Sequence, residues 1–235
     1  MLTMAPTIRQ TSGRLRASKP LTPASEEPTP TDGRRARGLL TRNAIVAEAV
    51  QLASTDGLGG LSMATLAGRL GIPKSSVHAA FGSKQDLQLA VLNETREILI
   101  NLVVAPSLRE LEGDPRLIAV GESWFGYLEG GAFQGGCVLS AAASEIDAQP
   151  GPAREMLVDI MREWLRFLTS NVKAAVRSGE FSAATDAEQL AFQLHSIGLA
   201  ANWHRQLFGG TVGLKRARAT WAKTLVSARI GPESR

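Results

Sequence analysis

A single cysteine, Cys137, stands in a chain of 235 residues, so no intramolecular disulfide can form and no multi-cysteine zinc site can be built. Histidine is nearly as scarce, at positions 78, 195 and 204 only. That argues against a metal centre, and neither metal nor cofactor is expected. Long apolar runs are missing as well. The longest mainly apolar stretch, Ile98 to Ala105, is too short to cross a bilayer, and MLTMAPTIRQ at the front has no apolar signal-peptide core. The expectation is a soluble cytoplasmic protein with no membrane partner. No convincing run of period-two alternation is found, which argues against sheet folds. Nor does the chain carry G-x-S-x-G, a P-loop, H-E-x-x-H or a full G-x-G-x-x-G, and Gly57-Leu58-Gly59-Gly60 has no preceding strand. A Cys137–His195 nucleophile pair is left, but nothing orders it. No enzyme is expected.

Hydrophobic residues at 44% and charged residues at 20% fit a globular chain. The net charge is +4, and its distribution matters more than its size. Residues 1–42 hold eight basic and three acidic residues, 43–92 balance at three each, and 93–235 hold 15 basic against 16 acidic. A basic front suits a polyanionic partner, or else a solubilising tail. Five of the eleven prolines fall within residues 1–33, among Thr, Ser and Arg, without periodicity. This stretch reads as a disordered, basic, Pro-rich arm.

From Leu39 onward the pattern is helical, and about nine helices are expected in an all-α fold. Gly57 suits the C′ position of a first helix with Ile45, Ala49, Leu52 and Ala53 on one face. Ser62 is placed to cap a short helix that stops at Gly71, and Pro73 opens another. Ser83 and Asp86 resemble a capping box that opens a long helix from Lys84 to about Val104. Further helices are expected over Asp114–Glu129, from about Cys137 to Asp147, and from Pro152 to Gly179. The last two cover about 186–208 and 214–229.

The spacing between 62 and 81 is that of a helix-turn-helix: two short helices, about 63–70 and 74–80, joined around Gly71. Leu66, Ala67, Leu70, Ile72, Val77 and Phe81 are spaced to pack the pair against the first helix. Lys74, Ser75, Ser76 and His78 are then left outward, a cation and short donors such as a major-groove surface requires. Ser62 and Thr65, at the start of the first short helix, join the candidate DNA contacts. Lys84, at another helix start, could grip a phosphate with free backbone N–H groups. Arg34, Arg35 and Arg37 form a basic arm suited to backbone or minor-groove contact. A plain three-helix subdomain with a solvated polar face has the same spacing.

The stretch TRNAIVAEAVQLASTDGLGGLSMATLAGRLGIPKSSVHAAFGSKQDLQLAVL carries a family resemblance. Asp56-Gly57, Leu66-Ala67, Leu70-Gly71-Ile72, Lys74-Ser75-Ser76-Val77, Phe81, Ser83-Lys84 and Asp86-Leu87 follow in order and without gaps. It resembles the N-terminal domain of the tetracycline-repressor (TetR-like) family of bacterial transcription regulators. Two positions depart from the pattern: His78 stands where a Tyr is usual, and Ala80 where a His or Tyr is usual. Ala80 can donate nothing to DNA, so operator preference should differ accordingly.

The resemblance implies three parts: the arm at 1–33, a helix-turn-helix domain at 34–92, and a helical ligand-sensing and dimerisation domain at 93–235. The segment Phe133-Gln134-Gly135-Gly136-Cys137-Val138-Leu139, with Ser144-Glu145 and Pro150-Gly151-Pro152, resembles one recurrent C-terminal subtype. The family fold would put the last two helices in a four-helix dimer interface. Gly198, Ala200 and Ala201 would allow close approach there, beside the apolar residues Leu190, Leu194, Ile197 and Phe208. The alternative for that stripe is ordinary core within one chain. Trp124, Phe125, Tyr127, Trp164, Phe167, Phe192 and Trp203 would lie on helices around a central cavity, with His195 as a hydrogen-bonding group. Core filling accounts for them equally. Cys137, near a helix N-terminus, is either a sensing thiol or a small buried hydrophobe.

The implied function is a homodimeric, ligand-responsive transcriptional repressor that binds a palindromic operator in double-stranded DNA and an unknown small organic effector. A ligand-free architectural DNA binder using the basic arm is the alternative. A small-molecule binding or hydrolytic protein with a vestigial helix-turn-helix is the third reading.

Overall fold

Residues 30–229 are described by the structure, a computed structural model, and within them the chain forms nine helices and no strand. They are α1 (Pro30–Asp56), α2 (Met63–Leu70), α3 (Lys74–Phe81), α4 (Lys84–Leu99), α5 (Asp114–Glu129), α6 (Val138–Ile146), α7 (Pro152–Arg177), α8 (Ala187–Phe208) and α9 (Val212–Ala228). The helix begun by α4 continues through a π-helical turn, Ile100–Val104, and a last α-turn, Ala105–Ser107. Among the described residues the architecture is the all-α one expected.

The expected punctuation operates. Ser62 caps α2 by accepting from the Thr65 amide, and Gly71 ends it in the left-handed region at φ +63°, where a side chain would be strained. The Ser83 hydroxyl oxygen accepts from the Asp86 amide at 3.0 Å and its O–H donates to the Asp86 carboxylate at 2.6 Å. Asp186 caps α8 through the amides of Glu188 and Gln189, both at 3.0 Å.

The arm expected over residues 1–33 lies outside the described residues up to 29, but α1 already begins at Pro30, nine residues before Leu39. Exposed arginines form helix as readily as apolar residues do, but they leave no buried stripe for periodicity to detect. Arg37 Nε donates to the Gly33 carbonyl at 3.1 Å, and Thr41 donates to the Arg37 carbonyl at 2.9 Å.

One apolar core runs through both halves. In the front half Ile45, Leu52, Leu66, Val77 and Phe81 meet between α1, α2 and α3, while Leu70 and Ile72 close the edge half-buried. In the rear half the α7 stripe Leu157, Ile160, Trp164, Leu168, Val172 and Ala175 is buried as its spacing requires. α4 packs against both halves.

The expected dimer stripe turns the other way. Leu190, Leu194, Gly198 and Ala201 are buried within the protomer, and Ile197 is half-buried against the same core. The close approach at Gly198 is to the Trp124 ring, which occupies the space a Cβ would need. The outward stripe of α8 is Phe192, Leu199, Trp203 and Leu207, with Trp203 at 61% exposure. Phe208 is exposed beside it, 5.6 Å from the Trp203 ring.

Candidate functional site

α3 exposes Lys74, Ser75 and His78, leaves Ser76 half-buried, and turns Val77 and Phe81 inward. Thr65 is exposed at the start of α2, and the Ser62 hydroxyl is committed to its cap. The far end of α3 is fastened by Arg42, which donates to the Ala80 carbonyl and stacks its guanidinium 4.2 Å from the Phe81 ring. Arg35 and Arg37, both exposed, stand one and a half to two turns before Arg42 on α1. The Arg34 side chain lies outside the described residues. The Lys84 ammonium is exposed and donates to the Gly59 carbonyl, in the turn between α1 and α2.

In the rear half a small cavity of about 70 Å³ is bounded by Trp124, Cys137, Leu139, Trp164, His195 and Leu99, among others. The two indoles meet edge to face, 4.9 Å between centroids at 75°, and the His195 ring lies parallel to Trp124 at 6.0 Å. Trp164 Nε1 donates to His195 Nδ1 at 3.2 Å, and burial lowers the His195 pKa below its ordinary value. A second cavity, about 170 Å³, lies beyond the wall formed by Leu99 and Trp164. Phe167, Ile100, Val104 and the ion pair Arg96–Glu163 (2.8 Å) line it. Thus Trp124, Cys137, Trp164 and His195 border the first cavity and Phe167 the second. Tyr127 borders neither. Its ring packs on Phe133, and burial, then the neighbouring Cys137, push its hydroxyl above the ordinary range. Phe125 packs against Trp221, while Phe192 and Trp203 face outward and line neither of these two cavities.

With this geometry the comparisons with known proteins agree. Residues 45–91 match the family model described as bacterial regulatory proteins, tetR family, and residues 113–221 match the tetracyclin repressor-like C-terminal domain. The chain belongs to the tetracycline-repressor family. Among solved structures, a TetR transcriptional regulator from Chloroflexus aurantiacus superposes with a TM-score of 0.78 at 22% identity, covering 83% of this chain and 100% of its own. A TetR-family regulator from Cytophaga hutchinsonii does so at 0.74 and 18%, covering 83% and 98%. AibR, solved with isovaleryl coenzyme A and operator DNA, matches at 0.63 and 16%, covering 78% and 97%. At these identities the likeness is one of fold. No curated protein matches the chain. As a member of the tetracycline-repressor family it is a DNA-binding transcriptional regulator, with the helix-turn-helix in α2 and α3.

In this TetR-family chain the two halves are joined by more than α4. Glu145, near the end of α6, accepts from the backbone amides of Leu58 at 2.8 Å and Gly59 at 2.5 Å, in the turn before α2. Gln88 of α4 donates to the Leu58 carbonyl at 3.0 Å. The loop ahead of α6 grips α1: Gln51 donates to the Ala132 carbonyl at 3.0 Å, and the Gly135 amide donates to Ser54 Oγ at 3.0 Å. The Cys137 amide, at the α6 N-cap, donates to Asn202 of α8 at 3.1 Å. Cys137 itself is buried. One short helix therefore carries Leu139 and Ser140 to the cavity and Glu145 to the reader. Sequence reasoning noted Ser144-Glu145 only as part of a resemblance and assigned no role. It also missed Leu99 and the π-turn, because a helix of mixed apolar residues leaves no mark of either.

Proposed function

We propose that the chain is a ligand-responsive repressor, acting as a homodimer on a palindromic operator. The observation that carries this reading is the span of α4. Its first residue, Lys84, holds the turn before the reading helices, and its last, Leu99, forms the wall shared by both cavities. A small organic molecule that needs both cavities must displace Leu99, and so bias the position of the reader. Coupling is limited to the ligand's differential affinity for the two positions.

Lys74, Ser75, Ser76 and His78 would meet the major groove, with Thr65 and Lys84 on phosphates and Arg34, Arg35 and Arg37 beside the duplex. Ser62 acts through its cap. The dimer would close through the outward stripe of α8, Phe192, Leu199, Trp203 and Leu207, together with Val212 and Val226 of α9, which are also exposed. Two readers would then fall about 34 Å apart, one turn of B-DNA. AibR, bound to a coenzyme A thioester and to operator DNA, supports a two-ligand design for this fold.

The test is a gel shift of the full chain on DNA upstream of its own gene. Salt-sensitive binding of one fragment over others, released by an organic effector, is expected. Binding without sequence preference would support the architectural reading instead, and no binding would end both.

A further inference from the structure

We infer that the cavity beside Trp124, Trp164 and His195 takes an uncharged aromatic molecule with one hydrogen-bond acceptor, a carbonyl or ether oxygen, held by His195 Nε2–H. This rests on the reading of the chain as an effector-responsive regulator, and it names the effector's chemistry.

The walls set the body of the ligand. Trp124 and Trp164 stand at 75° to one another, and Leu99, Leu139 and Met161 make most of the remaining lining apolar, with Ser140 and Cys137 beside them. Flat, quadrupolar faces of this kind pack best against another ring, offset or edge-on. No Asp, Glu, Lys or Arg is among the residues that bound this cavity, and Arg96 and Glu163, which line its neighbour, are paired with each other at 2.8 Å. A charged ligand would therefore leave water with no free counter-ion to meet it, which disfavours carboxylates and ammoniums alike.

The polar handle follows from one hydrogen bond. Trp164 Nε1–H donates to His195 Nδ1 at 3.2 Å, so that nitrogen must carry a lone pair and the neutral ring keeps its proton on Nε2. Burial favours that neutral form. Among the described residues no group accepts from Nε2. A ligand oxygen is the complement of this donor.

Size follows from the wall. The cavity of about 70 Å³ is below the roughly 150 Å³ that holds a benzene. Its neighbour of about 170 Å³ is reached by moving Leu99, which leaves the Trp164–His195 hydrogen bond in place. A single ring with a short polar substituent fills the merged space.

The full chain is titrated with acetophenone, ethylbenzene, benzoate and benzylamine, reading tryptophan fluorescence and melting temperature. Acetophenone should quench the fluorescence, raise the melting temperature and bind about fivefold tighter than ethylbenzene, the margin of one hydrogen bond. Benzoate and benzylamine should do neither. His195→Leu should erase the fivefold margin while ethylbenzene still binds. His195→Gln, which keeps an N–H donor, should retain it and serves if the leucine variant fails to fold. The inference is overturned if benzoate or benzylamine binds as tightly as acetophenone, if none of the four binds, or if the margin survives in His195→Leu. Release of operator DNA by a charged effector would sink this ligand chemistry and leave the regulator intact. Failure to bind DNA would sink the underlying reading.

Discussion

At Lys84 two duties meet: the ammonium stands at a helix start proposed to hold a phosphate, and it donates to the Gly59 carbonyl. Lys84→Ala is expected to weaken binding to every DNA sequence alike and to lower the salt slope of log K by about one. Fluorescence anisotropy at several salt concentrations reads both, and a loss confined to one operator variant would contradict the phosphate role. His195 gives a pH signature. Its pKa is lowered from 6.5 in the fold, so on acidification the unfolded chain takes up the proton first. The associated stability is therefore complete above about pH 6.5 and is lost as pH falls toward the lowered value. Between about pH 7.5 and pH 5.5 the melting temperature should drop more steeply for the native chain than for His195→Leu. At this scale the outward side of α3 was legible, because the spacing of Val77 and Phe81 fixes which side is buried and leaves Lys74, Ser75 and His78 exposed. The aromatic residues were not, because a tryptophan that lines a cavity and one that faces solvent look alike in a string of letters. Trp124 and Trp203 are the two cases.

α6 is nine residues long and touches the cavity at one end and the reader at the other. Glu145→Gln replaces a carboxylate that accepts two amides with a group that has one acceptor oxygen. The loss should be about 1–2 kcal/mol of local stability. Hydrogen exchange at the Leu58 and Gly59 amides should quicken by about tenfold while the core of α7 stays protected. If these amides exchange at the native rate, Glu145 is not what holds the turn. Helix boundaries in this chain were readable where a Gly, a Pro or a cap marks them: Gly71, Ser83-Asp86, Asp186. They were unreadable where the helix is solvated, as over residues 35–38. The π-turn at Ile100–Val104 has no chemical marker at all, since its four apolar residues and Asn101 suit an α-turn equally well.

For the molecule as a whole, the proposed assembly turns on α8. It carries apolar residues on two faces, Leu190, Leu194 and Ala201 inward and Phe192, Leu199, Trp203 and Leu207 outward. Periodicity finds both stripes and cannot rank them. At Gly198 the room is filled by Trp124 of the same chain, and in a sequence such room resembles room made for a neighbouring helix. Trp203→Glu should leave the fold intact, since that side chain is 61% exposed, and should yield monomers in sedimentation. Affinity for a two-half-site operator should then fall by about 100-fold or more, the avidity of a second reader.

The span of α4 also fixes where this protein can be cut and rejoined. Any chimaera that gives this C-terminal half another reader has its seam inside a helix, so the two parts are indexed by rotation rather than by distance. One inserted residue turns the reader by about 100° relative to the cavity, whereas four restore the phase to within about 40° and lengthen the helix by about 6 Å. Sensor swaps in this chain should therefore succeed or fail with a period of one helical turn. A series of one to four alanines inserted after Leu89, which lies between Lys84 and Leu99 on α4, should lose the proposed effector response at one and two residues and recover it toward four.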